Sequence, residues 1–398
     1  MTKEILNLND DELQFLNHRI GTIELQQGCP VRCITCGNNA EQYSLNMPWG
    51  NYMKISDGIL EIKAKKKIYL LQEEDKIKKR PLIFLFGQSD PIYYRSFDGK
   101  KERTLWDAIE VLLNNHKVST HLTTAGWRPG DNHMQRAAEN IAHSIKHGNE
   151  YIHFMYSIKT VSQKTINEYL KIQSKHDTKE KALEDFIQNS NYSHNLIENM
   201  KTFKGVKIGY SEQYLNYDWL NEDINPFKYV YYSFLSSPLC SVFNINADIV
   251  LSEPYEDIKD LFSLDTIKSI TKYCSKQASL DEIKKKYNKS KFHYRAFSGI
   301  GRATQLGLKD LDDIGINRLD VNPGKERKKQ VIMQDEFSAS IKADGTLRIF
   351  LGPENSLGKT LVPKPYFETR AEYYKNKDVD KSKYFAMLAN LQGKQLLD

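Results

Sequence analysis

The sequence predicts an α/β protein: a partial (β/α)6, TIM-like barrel over residues 1–245, then a smaller C-terminal α+β region over 246–398. Three observations carry this. Short β-branched or aromatic runs alternate with helical patterns, the signal of β-α units around a parallel sheet. Six such units fall between residues 22 and 240. From about residue 245 onward the alternation weakens.

The first strand is expected over 22–26 and runs straight into a group of cysteines. The second, over 81–86, is the continuous apolar run Pro-Leu-Ile-Phe-Leu-Phe, ending at Gly87. A helix over 104–115 precedes a third strand over 118–124, which ends at Ala125-Gly126. A helix over 132–147 leads to a fourth strand over 151–157. The long helical stretch 165–201 is expected to break near 189–192, before strands over 206–210 and 229–235. In the C-terminal region, 256–290 reads as helical and 331–350 as strands joined by an Asp344-Gly345 turn. Barrels of this kind carry their chemistry on loops after the carboxyl ends of the strands. Small and polar residues collect there: 29–36, 87–91, 123–127, 157–160, 211–212 and 236–240.

Composition narrows the class. With 398 residues, 40% of them hydrophobic, the chain can bury a core, which excludes wholesale disorder. No apolar run approaches the roughly 20 residues that span a bilayer, and the polar, acidic start over 1–12 is not a secretory signal. Five cysteines suit a disulfide framework poorly and a reducing compartment well, so a cytoplasmic location is expected. The net charge of +6 comes partly from lysine runs near 63–67, 76–80, 284–286 and 325–329. They are scattered and lack interleaved aromatics, so they predict a solvated surface rather than a nucleic-acid face.

The sharpest signal is Gly28-Cys29-Pro30-Val31-Arg32-Cys33-Ile34-Thr35-Cys36, a C-x3-C-x2-C spacing. Three soft thiolates on one short loop can converge on an iron–sulfur cluster or a zinc ion. A structural zinc site normally closes with four ligands. Here no fourth cysteine appears before Cys240, so one metal position stays open for a substrate or cofactor. A zinc-stabilised binding module is the alternative from another class.

The motif and its setting after the first strand resemble the radical S-adenosylmethionine (radical SAM) superfamily. The resemblance implies a 4Fe–4S cluster held by Cys29, Cys33 and Cys36, with SAM on the fourth iron. It implies reductive cleavage of SAM to methionine and a 5′-deoxyadenosyl radical that abstracts hydrogen from a substrate. It also implies an external flavodoxin or ferredoxin as electron donor. After the second strand, Gly87-Gln88-Ser89-Asp90-Pro91 resembles, in degenerate form, the family's Gly-Gly-Glu-Pro-like turn, whose backbone receives the SAM amino group. Thr123-Thr124-Ala125-Gly126 also resembles the family, and Ser157 stands where members often place a polar side chain on SAM. Thr35 departs from the aromatic that usually precedes the last cysteine.

Ser298-Gly299-Ile300-Gly301-Arg302-Ala303 resembles the Gly-Arg-Ala stretch that precedes the SPASM extension of many family members, and 338–351 with its Asp344-Gly345 turn, then Leu357-Gly358, resembles that extension's hairpin and following segment. That extension carries cysteines for auxiliary clusters; here none follows Cys274, so those clusters are expected to be absent. A substrate radical must then be quenched in another way. Cys240, just past the sixth expected strand, is a candidate hydrogen-atom donor, with a buried hydrophobe as its plain alternative. The SPASM-like tail points to a peptide substrate, as in maturation of ribosomally made peptides; a small metabolite such as a sugar or amino acid is the close alternative, and RNA a third.

Overall fold

The computed structural model describes residues 6–17, 19–31, 45–60, 82–86, 89–156, 163–203, 206, 337–351 and 360–397. Helix α1 (Asp10–Asn17) opens the described chain. Asn9 and Glu12 cap it reciprocally, each side chain accepting the other's backbone N–H at 2.9 Å. Strand β1 (Ile20–Ile23) follows, buried at all four positions. The chain then leaves the sheet. The short strand β2 (Gln26–Gln27) pairs antiparallel with β3 (Leu45–Asn46), so the expected strand over 22–26 is divided. Helix α2 (Trp49–Ile55) continues into a π turn, Ser56–Leu60.

Strand β4 (Leu82–Phe84) is the second expected strand, and a 3₁₀ turn, Pro91–Tyr93, lies beyond it. A small hairpin, β5 (Arg95–Phe97) and β6 (Glu102–Thr104), precedes α3 (Leu105–Glu110) and a second π turn, Val111–Asn115. Then come β7 (Ser119–Thr124), α4 (Asn132–Lys146) and β8 (Ile152–Tyr156). Helix α4 is capped by Asp131, whose carboxylate accepts from Met134 N at 3.1 Å. It buries Met134, Ala137, Ala138, Ile141 and Ala142, an apolar stripe at helical spacing. The expected long helix is three: α5 (Gln163–Gln173), α6 (Lys179–Asn189) and α7 (Asn191–Phe203). The break at Ser190 was expected; the earlier one arises because Thr178 caps a new helix by accepting from Lys181 N.

At the C-terminal end, β9 (Phe337–Ile341) and β10 (Leu347–Leu351) form the hairpin expected at Asp344-Gly345. Gly345 has φ +83°, the left-handed conformation such a turn favours in glycine. The short β11 (Thr360–Leu361) and helices α8 (Lys364–Tyr374) and α9 (Val379–Leu391) complete the chain.

Among the described residues, one mixed sheet of seven strands runs β11-β10-β9-β1-β4-β7-β8. The strands β9, β1, β4, β7 and β8 pair in parallel, and β10 runs against β9 and β11. The chain is therefore α/β, with four β-α strands side by side in sequence order, and the C-terminal hairpin extends that same sheet beside β1. Apart from the buried Val206, the expected strands over 206–210 and 229–235, the helical stretch 256–290 and the boundary at residues 245/246 lie outside the described residues.

Candidate functional site

Parallel sheets collect chemistry beyond their carboxyl ends, because all the strands point their loops the same way. At that end of β1 the β2–β3 ladder joins the two ends of residues 28–44, the stretch that holds the cysteine triplet. The ladder is tied down in turn: Met47 N donates to Leu25 O at 2.8 Å, and the Tyr94 hydroxyl donates to Met47 O at 3.0 Å. Gly28, at φ +84°, turns the chain toward Cys29, which is half-buried. Cys33 and Cys36 lie outside the described residues, as do Gly87, Gln88, Ser157, Cys240 and Cys274.

Next to β1, the turn after β4 is organised by Asp90. Its side chain is 6% exposed. One carboxylate oxygen accepts from Ile92 N at 3.2 Å, within its own turn. The other accepts from Ala125 N at 2.7 Å, at the end of β7, and the Thr124 hydroxyl is a further partner. Thr124 Oγ1 accepts from Gly126 N at 3.0 Å. One buried carboxylate thus fastens the second strand's turn to the third's. Burial pushes this carboxyl up to about 6, against the lowering effect of those hydrogen bonds.

The third turn is fixed from behind. Gly126 has φ +97°, and a Cβ there would meet the Tyr156 ring at 2.8 Å and the Asn199 amide as well. Asn199 on α7 accepts from Trp127 N at 2.8 Å and donates to Trp127 O at 2.7 Å, while Trp127 Nε1 donates to Thr202 Oγ1 at 3.0 Å. Tyr93 joins the two halves of the site. Burial, then the Asp90 charge, push its phenol up, and Cys29 adds to the push. Arg128 acts against them, with its guanidinium 5.7 Å from the Tyr93 ring centroid.

Of the residues singled out in the sequence, the structure brings Cys29, Ser89, Asp90, Pro91 and Thr123 to one end of three neighbouring strands. The Ser89 hydroxyl and the Thr123 hydroxyl are buried there without hydrogen-bond partners among the described residues, as are the side-chain oxygens of Gln26, Gln27 and Asn46 at the loop base. Sequence reading missed Tyr93, Arg128 and Asn199. Nothing local marks Asn199, whose partner is 72 positions away. Among the described residues no three His, Cys, Asp or Glu side chains are grouped to hold a metal, and no helix is long and apolar enough to cross a membrane. No family model, no curated protein and no solved structure matches the chain.

Proposed function

We propose that the chain is a radical SAM enzyme built on a partial (β/α)6 barrel. The observation that carries the reading is the C-x3-C-x2-C triplet on a stretch tied at its base beside the carboxyl end of β1, next to the Asp90 and Thr123 turns. Cys29, Cys33 and Cys36 would hold a 4Fe–4S cluster, since soft thiolates are the ligands such clusters take. The unpartnered hydroxyls of Ser89 and Thr123 suit a polar, amino-acid-bearing nucleotide such as SAM. When bound, this cofactor pair supplies the electron-driven cleavage of SAM and the hydrogen abstraction that follows.

The chain's own residues orient and shield that chemistry. Asp90 holds two turns at a fixed spacing, and with them the backbone of residues 89–92. Asn199 and Thr202 lock the third turn through Trp127. Flavodoxin or ferredoxin is the proposed electron donor, a peptide the leading substrate class, and Cys240 a proposed hydrogen-atom donor.

The test is anaerobic reconstitution with iron and sulfide. A brown chromophore, acid-labile sulfide and 5′-deoxyadenosine from SAM under reduction are expected, each lost in Cys29→Ala. Zinc without sulfide would sink the enzyme reading. Cys240→Ala should spare SAM cleavage and abolish product; unchanged turnover removes the donor role.

A further inference from the structure

Six residues stand in register across six strands of the sheet: Arg348 on β10, Ser340 on β9, Thr22 on β1, Phe84 on β4, His121 on β7 and His153 on β8. Partners in register project to the same side of a sheet. The alternate residues Ile83, Leu122 and Phe154 are buried on the other side, where the Phe154 ring lies 4.7 Å from that of Phe203 on α7. Strands covered on both faces normally read as apolar throughout. This row instead carries a guanidinium, two hydroxyls, a ring and two imidazoles.

Its β9–β10 end is unusual. Ser340 is 2% exposed and Ser338, two residues back on the same side, is 1% exposed, yet neither hydroxyl oxygen has a hydrogen-bond partner among the described residues. Directly opposite Ser340, Arg348 is half-buried and makes no ion pair or side-chain hydrogen bond among the described residues. The next cation on this side, Lys342, is engaged with Asp344 at 2.9 Å. A permanent fork of N–H donors beside two unsatisfied buried hydroxyls is a donor set for an oxyanion. The far end of the row differs: Phe84 and Phe86 flank His121, with ring centroids at 5.1 and 6.1 Å. Burial, helped by His153, holds His121 down to about 4, so its imidazole stays uncharged near neutral pH.

We propose that Arg348, Ser338 and Ser340 form an anion subsite that anchors the substrate by a carboxylate or phosphate, with its uncharged remainder extending along the row toward Phe84 and His121. The proposal rests on the radical SAM reading for its place in catalysis, though its chemistry stands without it. Four strand spacings separate Arg348 from His121, roughly 19 Å before the reach of the side chains. The site thus favours an elongated substrate: an extended peptide with an acidic end, or a phosphorylated small molecule of similar length.

The test titrates the full chain with inorganic phosphate, with acetyl-trialanine and with acetyl-trialaninamide, following the Arg348 Nε–Hε NMR signal assigned through Arg348→Lys. Saturable shifts are expected with phosphate or with the peptide acid, and the amide should bind about tenfold more weakly than the acid or not at all. Phosphate alone points to the phosphorylated source, the acid alone to the peptide. Arg348→Gln should abolish the shift-linked binding, and Ser340→Ala should weaken it severalfold with an unchanged melting curve. If Arg348→Gln fails to fold, the Ser340→Ala titration decides. The proposal falls if no anion shifts Arg348, if the amide binds as well as the acid with phosphate silent, or if Ser340→Ala leaves the affinity unchanged. Iron and sulfide are measured on the same preparation. Anion binding without a cluster defeats only the enzyme reading, and a cluster without anion binding defeats only the subsite.

Discussion

Two titratable side chains, the buried Asp90 and the half-buried His121, respond to acid in opposite directions. Asp90 has its carboxyl raised to about 6 by burial, so the folded chain holds a proton more tightly than the unfolded one does. Its contribution to stability is therefore fullest below the ordinary carboxylate range and declines as pH rises toward 6. The penalty for keeping it charged above that is at most about 3 kcal/mol. His121, lowered to about 4, works the other way: stability present above pH ~6.5 is lost as pH falls toward 4. Asp90→Asn should thus lose stability relative to the native chain on acidification from pH 7 to 4, and His121→Gln should gain. Urea melts across that range check both, and parallel curves for the native chain and either variant would contradict the assignment. Asp90→Ala is a different experiment. It strands the Ala125 and Ile92 amides, at about 1–3 kcal/mol each if they stay buried.

Elements show where sequence pattern suffices. Strands β4, β7 and β8 and helix α4 were legible because each is a local pattern: an apolar run, or Met134 to Ala142 at helical spacing, bounded by a turn. Ile141→Ala should cost about 2–5 kcal/mol, measured as a shift in the denaturation midpoint, because Ile141 is fully buried in that stripe. Gly126→Ala should cost about 1–3 kcal/mol for its backbone alone, with the Tyr156 and Asn199 contacts added, and should loosen the third turn. The β2–β3 ladder was not legible, since two residues a side carry no periodicity. Helix α1 was missed despite its Asn9–Glu12 cap, a signature present in the sequence. Helix α8 buries only Phe367 among its described core positions and so lacks an apolar stripe to detect. In the candidate site, the cysteine spacing was plain from the sequence. The use of Asp90 by Ala125, 35 positions on, was not, because it depends on how two loops meet in space.

Across the whole molecule, the ends of the chain hold each other. Lys394 donates to both carboxylate oxygens of Glu12, at 2.7 and 2.6 Å, and Glu12 is 5% exposed. Asn7 N donates to Leu396 O at 2.9 Å nearby. Lys394→Met would leave Glu12 with its Asn9 cap as the remaining partner among the described residues and should cost ~1–3 kcal/mol, read as a lower melting temperature. Glu12→Gln in the same background should recover part of the loss, because the stranded charge is then gone. None of this was visible in the sequence, where residues 12 and 394 share no pattern.

The place of β9 beside β1 sets a timetable for folding. Strand β1 is made early, but its neighbour on one side spans Phe337–Ile341, more than 300 positions later. On a ribosome adding ~5–20 residues per second, that edge waits roughly 15–60 s for its partner. Throughout that interval β1, buried at every position in the fold, offers an unpaired flank to other nascent chains, the kind of edge that seeds aggregation. A chain stopped after residue 336 should therefore accumulate as insoluble protein even though the β-α units before it are intact, and co-expressed residues 337–398 should restore solubility in trans. Holdase chaperones are expected to engage this protein before its last sixty or so residues emerge, and to release it once the hairpin has docked.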